Sequence, residues 1–214
     1  FHLTNLLLHA GSALVVMAIL RLVLSRWLAG TDGTAARDDE SVRVAAMCGA
    51  LWFGLHPLQV EAVAWATGRK DVLAGLLALT AIWLHARNTH LCIAAPEATS
   101  ATYGFRGPGR VRLASSVLAT SVFVLSLLAK PLATIPLAAL VLDLWVFRCP
   151  VRRALVRLAP WFVIAAAWTV LTLAVQPAPA AARDPSLVWA RPLVAADALS
   201  HYVTRTVLPV GLAT

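Results

Sequence analysis

A short polar segment between two apolar stretches carries most of the residues that could do chemistry. It holds His56, Glu61, Arg69, Lys70 and Asp71. A carboxylate can accept a proton from a hydroxyl group, and arginine and lysine side chains can hold an anionic group such as a phosphate. Ionisable groups between apolar helices are costly to bury, so such a segment indicates either a functional site or a topological signal.

A further cation, Lys130, follows a continuous apolar run and directly precedes a proline. It is either a phosphate contact or an interfacial lysine whose stem lies on apolar surface while its ammonium group reaches water. Arg69 and Lys70 are likewise either phosphate contacts or a solvated pair. In the second case, Glu61 and Asp71 would be their ion-pair partners.

Glu61 and His56 each have more than one interpretation. Glu61 lies eight residues before Arg69, about two turns if the segment is helical. It could orient a substrate hydroxyl, assist a catalytic base or hold Arg69 in an ion pair. His56 precedes a proline at a predicted helix end and is either a capping and packing residue or a site group. The spacing of His56, Glu61 and Asp71 matches no known ligand pattern for a divalent cation. We therefore predict no metal ligands and leave metal dependence open.

The composition is typical of an integral membrane protein. Of 214 residues, 60% are hydrophobic and 13% are charged. The net charge of +8 does not indicate nucleic-acid binding, because the arginines flank apolar segments and form no basic domain. Cys48, Cys92 and Cys149 are far apart in the sequence, which argues against a disulfide framework or a zinc site.

The apolar pattern predicts an all-α fold, a multi-pass transmembrane bundle of about six to seven helices. The candidate helices are Leu3–Leu28, Val42–Leu55, Val72–Ala86, Leu113–Ala129, Leu132–Phe147, Leu158–Val175 and Leu193–Leu212. The second should end at His56, because the proline after it removes a backbone donor. The second and third are short for a full span. Residues 87–112 are predicted to form a loop rich in Gly, Pro and Thr.

Basic residues are unevenly divided between alternate loops. The larger set is Arg26, Arg37, Arg43, Arg87, Arg106, Arg110, Arg112, Arg148, Arg152, Arg153 and Arg157. The smaller set is Arg69, Lys70, Lys130, Arg183 and Arg191. The positive-inside rule places the larger set in the cytoplasm, so the smaller set should face outward. Three polar features on that face, the His56–Asp71 segment, the break at Lys130 and the loop 176–192, then suggest a shared site.

Other polar and aromatic residues receive structural interpretations. Tryptophans near predicted helix ends are expected to be interfacial anchors, and these are Trp27, Trp65, Trp83, Trp145 and Trp189. Trp65 has sugar stacking as an alternative role. Trp161 and Trp168, seven residues apart on one predicted helix, are expected to pack. Asp143 is expected to reach the interface or to pair with Arg148.

Several groups of residues together resemble one family of membrane enzymes. They are Phe1–His9, His56–Asp71, Leu127–Pro131 with Leu142–Trp145, and His201–Tyr202 with Leu208–Pro209 and Gly211–Leu212. They are similar to the TMTC-type membrane O-mannosyltransferases and their bacterial relatives. That family joins a GT-C glycosyltransferase membrane domain to C-terminal tetratricopeptide repeats.

The resemblance implies a function. A hexose, such as mannose, would pass from a polyprenyl-phosphate donor to a protein or other hydroxyl acceptor on the outer or lumenal face. The membrane would be a bacterial inner membrane or the endoplasmic reticulum. The implied substrate-binding residues are Lys130, Arg69, Lys70, His56 and Arg205, with Glu61 in an auxiliary catalytic role. Arg205 shares a helical face with Asp197 and His201.

The resemblance also implies what this chain lacks. The principal acidic residue of GT-C enzymes lies in their first outward loop, which we expect upstream of Phe1. Residues 1–214 are therefore expected to be part of one GT-C-like domain, without its first helix, that loop or the C-terminal repeats, and to be inactive alone. The rival interpretation is a non-catalytic transporter or scaffold domain, in which the charges serve packing and topology.

Overall fold

The computed structural model describes residues 2–29, 39–65, 68–94, 108–175 and 190–207, and every regular element in these ranges is helical. The helices are α1 (His2–Ala29), α2 (Asp39–Leu55), α3 (Gln59–Ala64), α4 (Arg69–Ala94), α5 (Pro108–Ala129), α6 (Ile135–Val141), α7 (Val151–Val175) and α8 (Arg191–Val207). A π-helical turn, Leu142–Val146, continues directly from α6. The predicted all-α class is confirmed over the described residues.

The helix boundaries agree with the prediction in some places and differ in others. α2 ends at Leu55, directly before His56 and its proline, as expected. The predicted loop over 87–112 is wrong at both of its ends, because α4 continues to Ala94 and α5 begins at Pro108. Residues 87–94 are more polar than the preceding turns but contain neither Gly nor Pro, so nothing there ends the helix. The tail of the last predicted helix, 208–212, lies outside the described residues.

Among the described residues, two helices are long and apolar enough to cross a membrane. One candidate span is His2–Leu28 in α1 with a mean hydropathy of 2.1, and the other is Val151–Val175 with a mean hydropathy of 2.0. Leu113–Ala129 and Ile135–Val146 are shorter apolar stretches. α1, α5 and α7 also expose large apolar side chains, a surface that water would disfavour and lipid would accept.

α4 packs between α1 on one side and α5 on the other. Small residues let the neighbouring helices approach closely. Gly11 of α1 faces Leu76 of α4, and Gly49 of α2 faces Leu20 of α1. A Cβ atom at Gly49 would lie 2.6 Å from Cδ1 of Leu20, so the leucine side chain packs directly against the glycine.

The main apolar core lies between α4, α5, α6 and α7. Its buried residues are Ala78, Ala81, Ala119, Phe123, Leu127, Ile135, Ala139, Leu158, Trp161 and Ala165. The rings of Phe123 and Trp161 stack with centroids 4.7 Å apart and an interplanar angle of 11°. The indole nitrogen of Trp161 donates to Oγ1 of Thr120 at 2.9 Å, which satisfies its polar edge. The predicted packing role of Trp161 is confirmed, and Trp168 packs half-buried against the same core.

The prediction for Asp143 is wrong. This carboxylate is fully buried, and its Oδ2 lies 3.0 Å from Nε2 of His85 on α4. The hydroxyl of Thr89 donates to its Oδ1 at 3.1 Å. Arg148, the expected partner, is exposed beyond the π-helical turn and has a φ of 50°, a conformation that ends the helix. The π-helical geometry directs Asp143 towards α4, and ordinary α-helical spacing does not anticipate it.

We expect Phe123→Ala to destabilise the bundle strongly. The substitution removes a fully buried ring and its stacking contact with Trp161. Such a loss lowers the free energy of unfolding by about 3 kcal/mol or more. The matched control is Leu125→Ala on the same helix, at a side chain that is 50% exposed. Thermal unfolding of both purified variants in one detergent measures the difference. Equal unfolding temperatures would show that this core does not hold the helices together.

Candidate functional site

Residues predicted to share a site are brought together at one end of the bundle, which we call the loop end. The start of α1, the short helix α3, the first turn of α4 and Lys130 after α5 form it. These parts are distant in sequence, so their meeting is a property of the fold. The residues predicted from the 56–71 segment and Lys130 therefore lie in one region.

The clearest contact at the loop end is an ion pair between Lys130 and Asp71. Nζ of Lys130 lies 3.0 Å from Oδ1 of Asp71, with side-chain exposures of 45% and 36%. That carboxylate oxygen accepts no hydrogen bond within the described residues, so the contact has the distance of an ion pair without good hydrogen-bond alignment. A pair this exposed contributes less than about 1 kcal/mol. The paired oxygen itself is buried, but both side chains are partly exposed, so the pair does little to hold the fold together.

Arg69 and Lys70 begin α4, and both side chains are exposed. The first backbone N–H groups of a helix have no partner within it, and the helix dipole places partial positive charge there. Two cationic side chains beside such an end make the region favourable for an anion. Asp71 in the same turn partly offsets that charge.

His56 is buried and occupies a capping and packing position. Its Nδ1 accepts the backbone N–H of Leu58 at 3.3 Å, and its carbonyl oxygen accepts the N–H of Gln59 at 2.9 Å. Its ring meets Trp52 edge-on with centroids 5.5 Å apart. These contacts agree with the first of its two interpretations. A substrate contact by His56 stays a prediction.

Two predicted site residues have their side chains outside the described part of the chain. Glu61 lies in α3 and Arg205 in α8. On α8, Asp197 and His201 are exposed. Trp65, at the loop end, is 63% exposed, a position open both to interfacial anchoring and to sugar stacking. Among the described residues, no group of three His, Cys, Asp or Glu side chains is placed to hold a metal ion.

The sequence prediction missed Asn5, which anchors the loop end. Asn5 is fully buried in α1, and its Nδ2 donates to the carbonyl oxygens of Val63 at 3.1 Å and Trp65 at 2.9 Å. These are carbonyls at the end of α3, where a helix leaves acceptors unsatisfied. One amide therefore ties the start of α1 to the segment that precedes α4.

His9 makes a similar tie one turn further along α1. Its Nε2 is hydrogen-bonded to the carbonyl oxygen of Gly54 at 3.0 Å, near the end of α2. With Asn5 and Ser12, it forms a buried polar stripe on an otherwise apolar helix. The spacing of four and then three residues is the repeat of one helix face. That repeat is the sequence signal from which the stripe could have been predicted.

Gly68 is required by close packing of the segment between α3 and α4. A Cβ atom there would overlap the carbonyl oxygen of Ala62, a backbone atom that no side-chain rotation can move away. The N–H of Gly68 donates to the carbonyl of Trp65 at 3.0 Å. Glycine at this position allows α4 to begin directly beside α3, which places Arg69 and Lys70 at the loop end.

We expect Gly68→Ala to distort the loop end and lower stability by about 1 kcal/mol or more, because backbone must move to admit one methyl group. The matched control is Gly75→Ala on α4, where an added Cβ meets nothing within 4 Å. That substitution should be neutral or stabilising by up to about 1 kcal/mol. Thermal unfolding in detergent compares the two. A Gly68→Ala protein as stable as Gly75→Ala would contradict the close packing.

Comparison with known proteins finds similarity to one mannosyltransferase over part of the chain. The chain is 33% identical over 92 residues to protein O-mannosyl-transferase Tmtc3 of Drosophila melanogaster. The match covers 41% of this chain and 10% of that protein. No family model matches the chain, and no solved structure matches it. The similarity is to a mannosyltransferase and agrees in part with the resemblance drawn from the sequence motifs.

Proposed function

We propose that this chain is part of a GT-C-like membrane glycosyltransferase domain whose substrates bind at the loop end. In this proposal, a hexose such as mannose passes from a polyprenyl-phosphate donor to a hydroxyl group of a protein or other acceptor. The bundle is multi-pass, in a bacterial inner membrane or the endoplasmic reticulum, with its loop end facing outward or into the lumen. The partial similarity to Tmtc3 and the long apolar helices support it.

The observation that carries the proposal is the position of Lys130 beside the first turn of α4. The ion pair with Asp71 brings Lys130 close to the helix start that also bears Arg69 and Lys70. Three cations and a helix N-terminus then surround one region. Sugar transfer from a polyprenyl phosphate leaves a phosphate group with increased negative charge, and such groups stabilise that charge.

The Lys130–Asp71 pair suits a binding role better than a structural one. Both side chains are more than a third exposed, so the pair contributes little to stability. A phosphate bearing more than one negative charge can displace Asp71 as the partner of Lys130. In the proposed enzyme, Lys130 pairs with Asp71 before the donor binds and with the donor phosphate afterwards.

The proton of the acceptor hydroxyl also needs a base. We assign Glu61 an auxiliary part in that step, because it belongs to α3, whose end is tied to Asn5 and precedes the start of α4. By the family resemblance, the principal carboxylate belongs to another loop on the same face. The acceptor oxygen attacks the anomeric carbon as the bond to the donor phosphate breaks, so the sugar inverts its configuration.

The positions of the buried polar residues favour an enzyme over a transporter. A transporter site lies near the middle of the membrane. Asn5 and His9 lie at the loop end, whereas His85 and Asp143 lie about 24 Å along α4 from Arg69, at 1.5 Å per residue. The buried amide, imidazole and carboxylate groups of the described bundle thus lie towards its two ends.

The test is transfer of a labelled sugar by the full-length protein in membranes. We expect Lys130→Ala to lower transfer by about a hundredfold, because the substitution removes a positive charge that stabilises the departing phosphate. Glu61→Gln should lower it at least tenfold. Arg153→Ala, an exposed arginine on α7, is the charge-matched control for Lys130 and should transfer normally at equal expression.

Asp71→Asn separates a binding role for Lys130 from a structural one. If Lys130 binds phosphate, Asp71→Asn leaves it in place and retains most activity. If the pair is structural, Asp71→Asn and Lys130→Ala should impair the protein equally. Transfer that persists in Lys130→Ala and Glu61→Gln would discard this site, and solute flux without sugar transfer would favour the transporter.

A further inference from the structure

A polar cavity lies at the opposite end of the bundle from the loop end. Its volume is about 160 Å³. It is lined by residues of α4, α5 and α7, and these are His85, Asn88, Ser116, Ala119, Thr120, Arg157 and Trp161. Neither the proposed sugar transfer nor the substrate residues at the loop end use this cavity.

Arg157 gives the cavity its positive charge. Its Nη2 donates to the hydroxyl oxygen of Thr89 at 2.7 Å, and Thr89 in turn donates to Asp143. The threonine hydroxyl therefore stands between the guanidinium and the carboxylate. Arg157 forms no ion pair with a carboxylate within the described residues. A guanidinium has five N–H donors, so most of them remain available to a ligand.

Asn88 gives the cavity an unused donor. Its side chain is only 7% exposed and lines the cavity, yet it makes no side-chain hydrogen bond within the described residues. The amide reaches the cavity, so a ligand there can accept a hydrogen bond from it.

The surrounding contacts hold the guanidinium of Arg157 and two walls of the cavity in place. His85 Nε2 lies 3.0 Å from Asp143, which fixes one wall, and Trp161 stacks on Phe123 and bonds to Thr120 to fix another. Arg157 is anchored through Thr89 to the same buried carboxylate. The cavity is thus a preorganised site, because its polar walls are set before any ligand binds.

We propose that this cavity binds a phosphate group, held by the guanidinium of Arg157 and the amide of Asn88. A phosphate oxygen accepts hydrogen bonds from both donors, and its charge balances the arginine. Asn88 lies nineteen residues beyond Arg69 on α4, about 29 Å at 1.5 Å per residue. That length is comparable to the hydrocarbon core of a bilayer, about 30 Å. If the loop end lies at one membrane surface, the cavity lies at the headgroup level of the other.

The same chemistry has two sources, an anionic phospholipid headgroup and free phosphate. Two of the helices that border the cavity expose apolar side chains that could contact acyl chains. These are Leu113 and Val117 of α5 and Val156 of α7. Basic pockets between helices at a membrane surface are known to hold lipid headgroups. The experiment therefore compares the two sources directly.

The test measures thermal unfolding of the purified full-length protein in detergent. Phosphatidylglycerol, phosphatidylcholine and inorganic phosphate are titrated separately. We expect phosphatidylglycerol to raise the unfolding temperature of the wild type, and Arg157→Gln and Asn88→Leu each to need about tenfold more of it. Arg153→Gln removes the same charge from an exposed position of α7 and should behave as wild type. Asn88→Leu keeps the test valid if Arg157→Gln fails to fold.

Each outcome decides the proposal. A response to phosphatidylglycerol alone assigns the site to a lipid headgroup, and an equal response to inorganic phosphate assigns it to a free anion. Equal responses to phosphatidylglycerol and phosphatidylcholine, or responses unchanged in both Arg157→Gln and Asn88→Leu, would overturn the proposal.

Discussion

Most buried polar side chains of the described bundle find hydrogen-bond partners inside the protein, and that constraint organises this molecule. A lipid-facing helix has no water to satisfy an amide, an imidazole or a carboxylate. Asn5 therefore bonds to carbonyls at the end of α3, His9 bonds to a carbonyl near the end of α2, and Asp143 bonds to His85 and Thr89. Each of these contacts joins two elements that apolar packing alone would leave free to slide.

The two ends of the bundle satisfy this constraint in different ways. At the loop end, the buried amide of Asn5 donates hydrogen bonds to backbone carbonyls. The charged side chains nearby, Lys130 and Asp71, stay partly exposed and form a weak ion pair. At the opposite end, the charges themselves are drawn inward, and a chain of contacts links Arg157 through Thr89 to Asp143. A loosely held ion pair can exchange partners during a reaction cycle, whereas a closed buried network favours a permanent structure with one defined cavity.

Much of the fold followed from hydropathy and from prolines. The break after Leu55 and the packing of Trp161 needed only local patterns. The extension of α4 through 87–94 was missed because polarity there suggested a loop, although the segment lacks helix breakers. Asp143 was misplaced because a π-helical turn changes which face a residue occupies, and no residue type marks such a turn.

The site was only partly predictable for a related reason. Lys130 and Asp71 were singled out by charge, but their meeting depends on how α4 packs against α5. Asn5, His9 and Ser12 carried a readable helical repeat, yet only the fold shows that their partners are backbone carbonyls. Residue type thus predicts the chemistry available, and tertiary packing determines which groups share a region.

The π-helical turn Leu142–Val146 has a consequence for how such chains can vary. The N–H of Phe147 bonds back five residues to Leu142, so the turn holds one residue more than an α-helical turn of the same height. Deleting a single residue here would restore ordinary helix and leave the flanking segments in place, but it would rotate Asp143 away from His85. A homologue with a one-residue gap at this position would keep the bundle and lose the buried network.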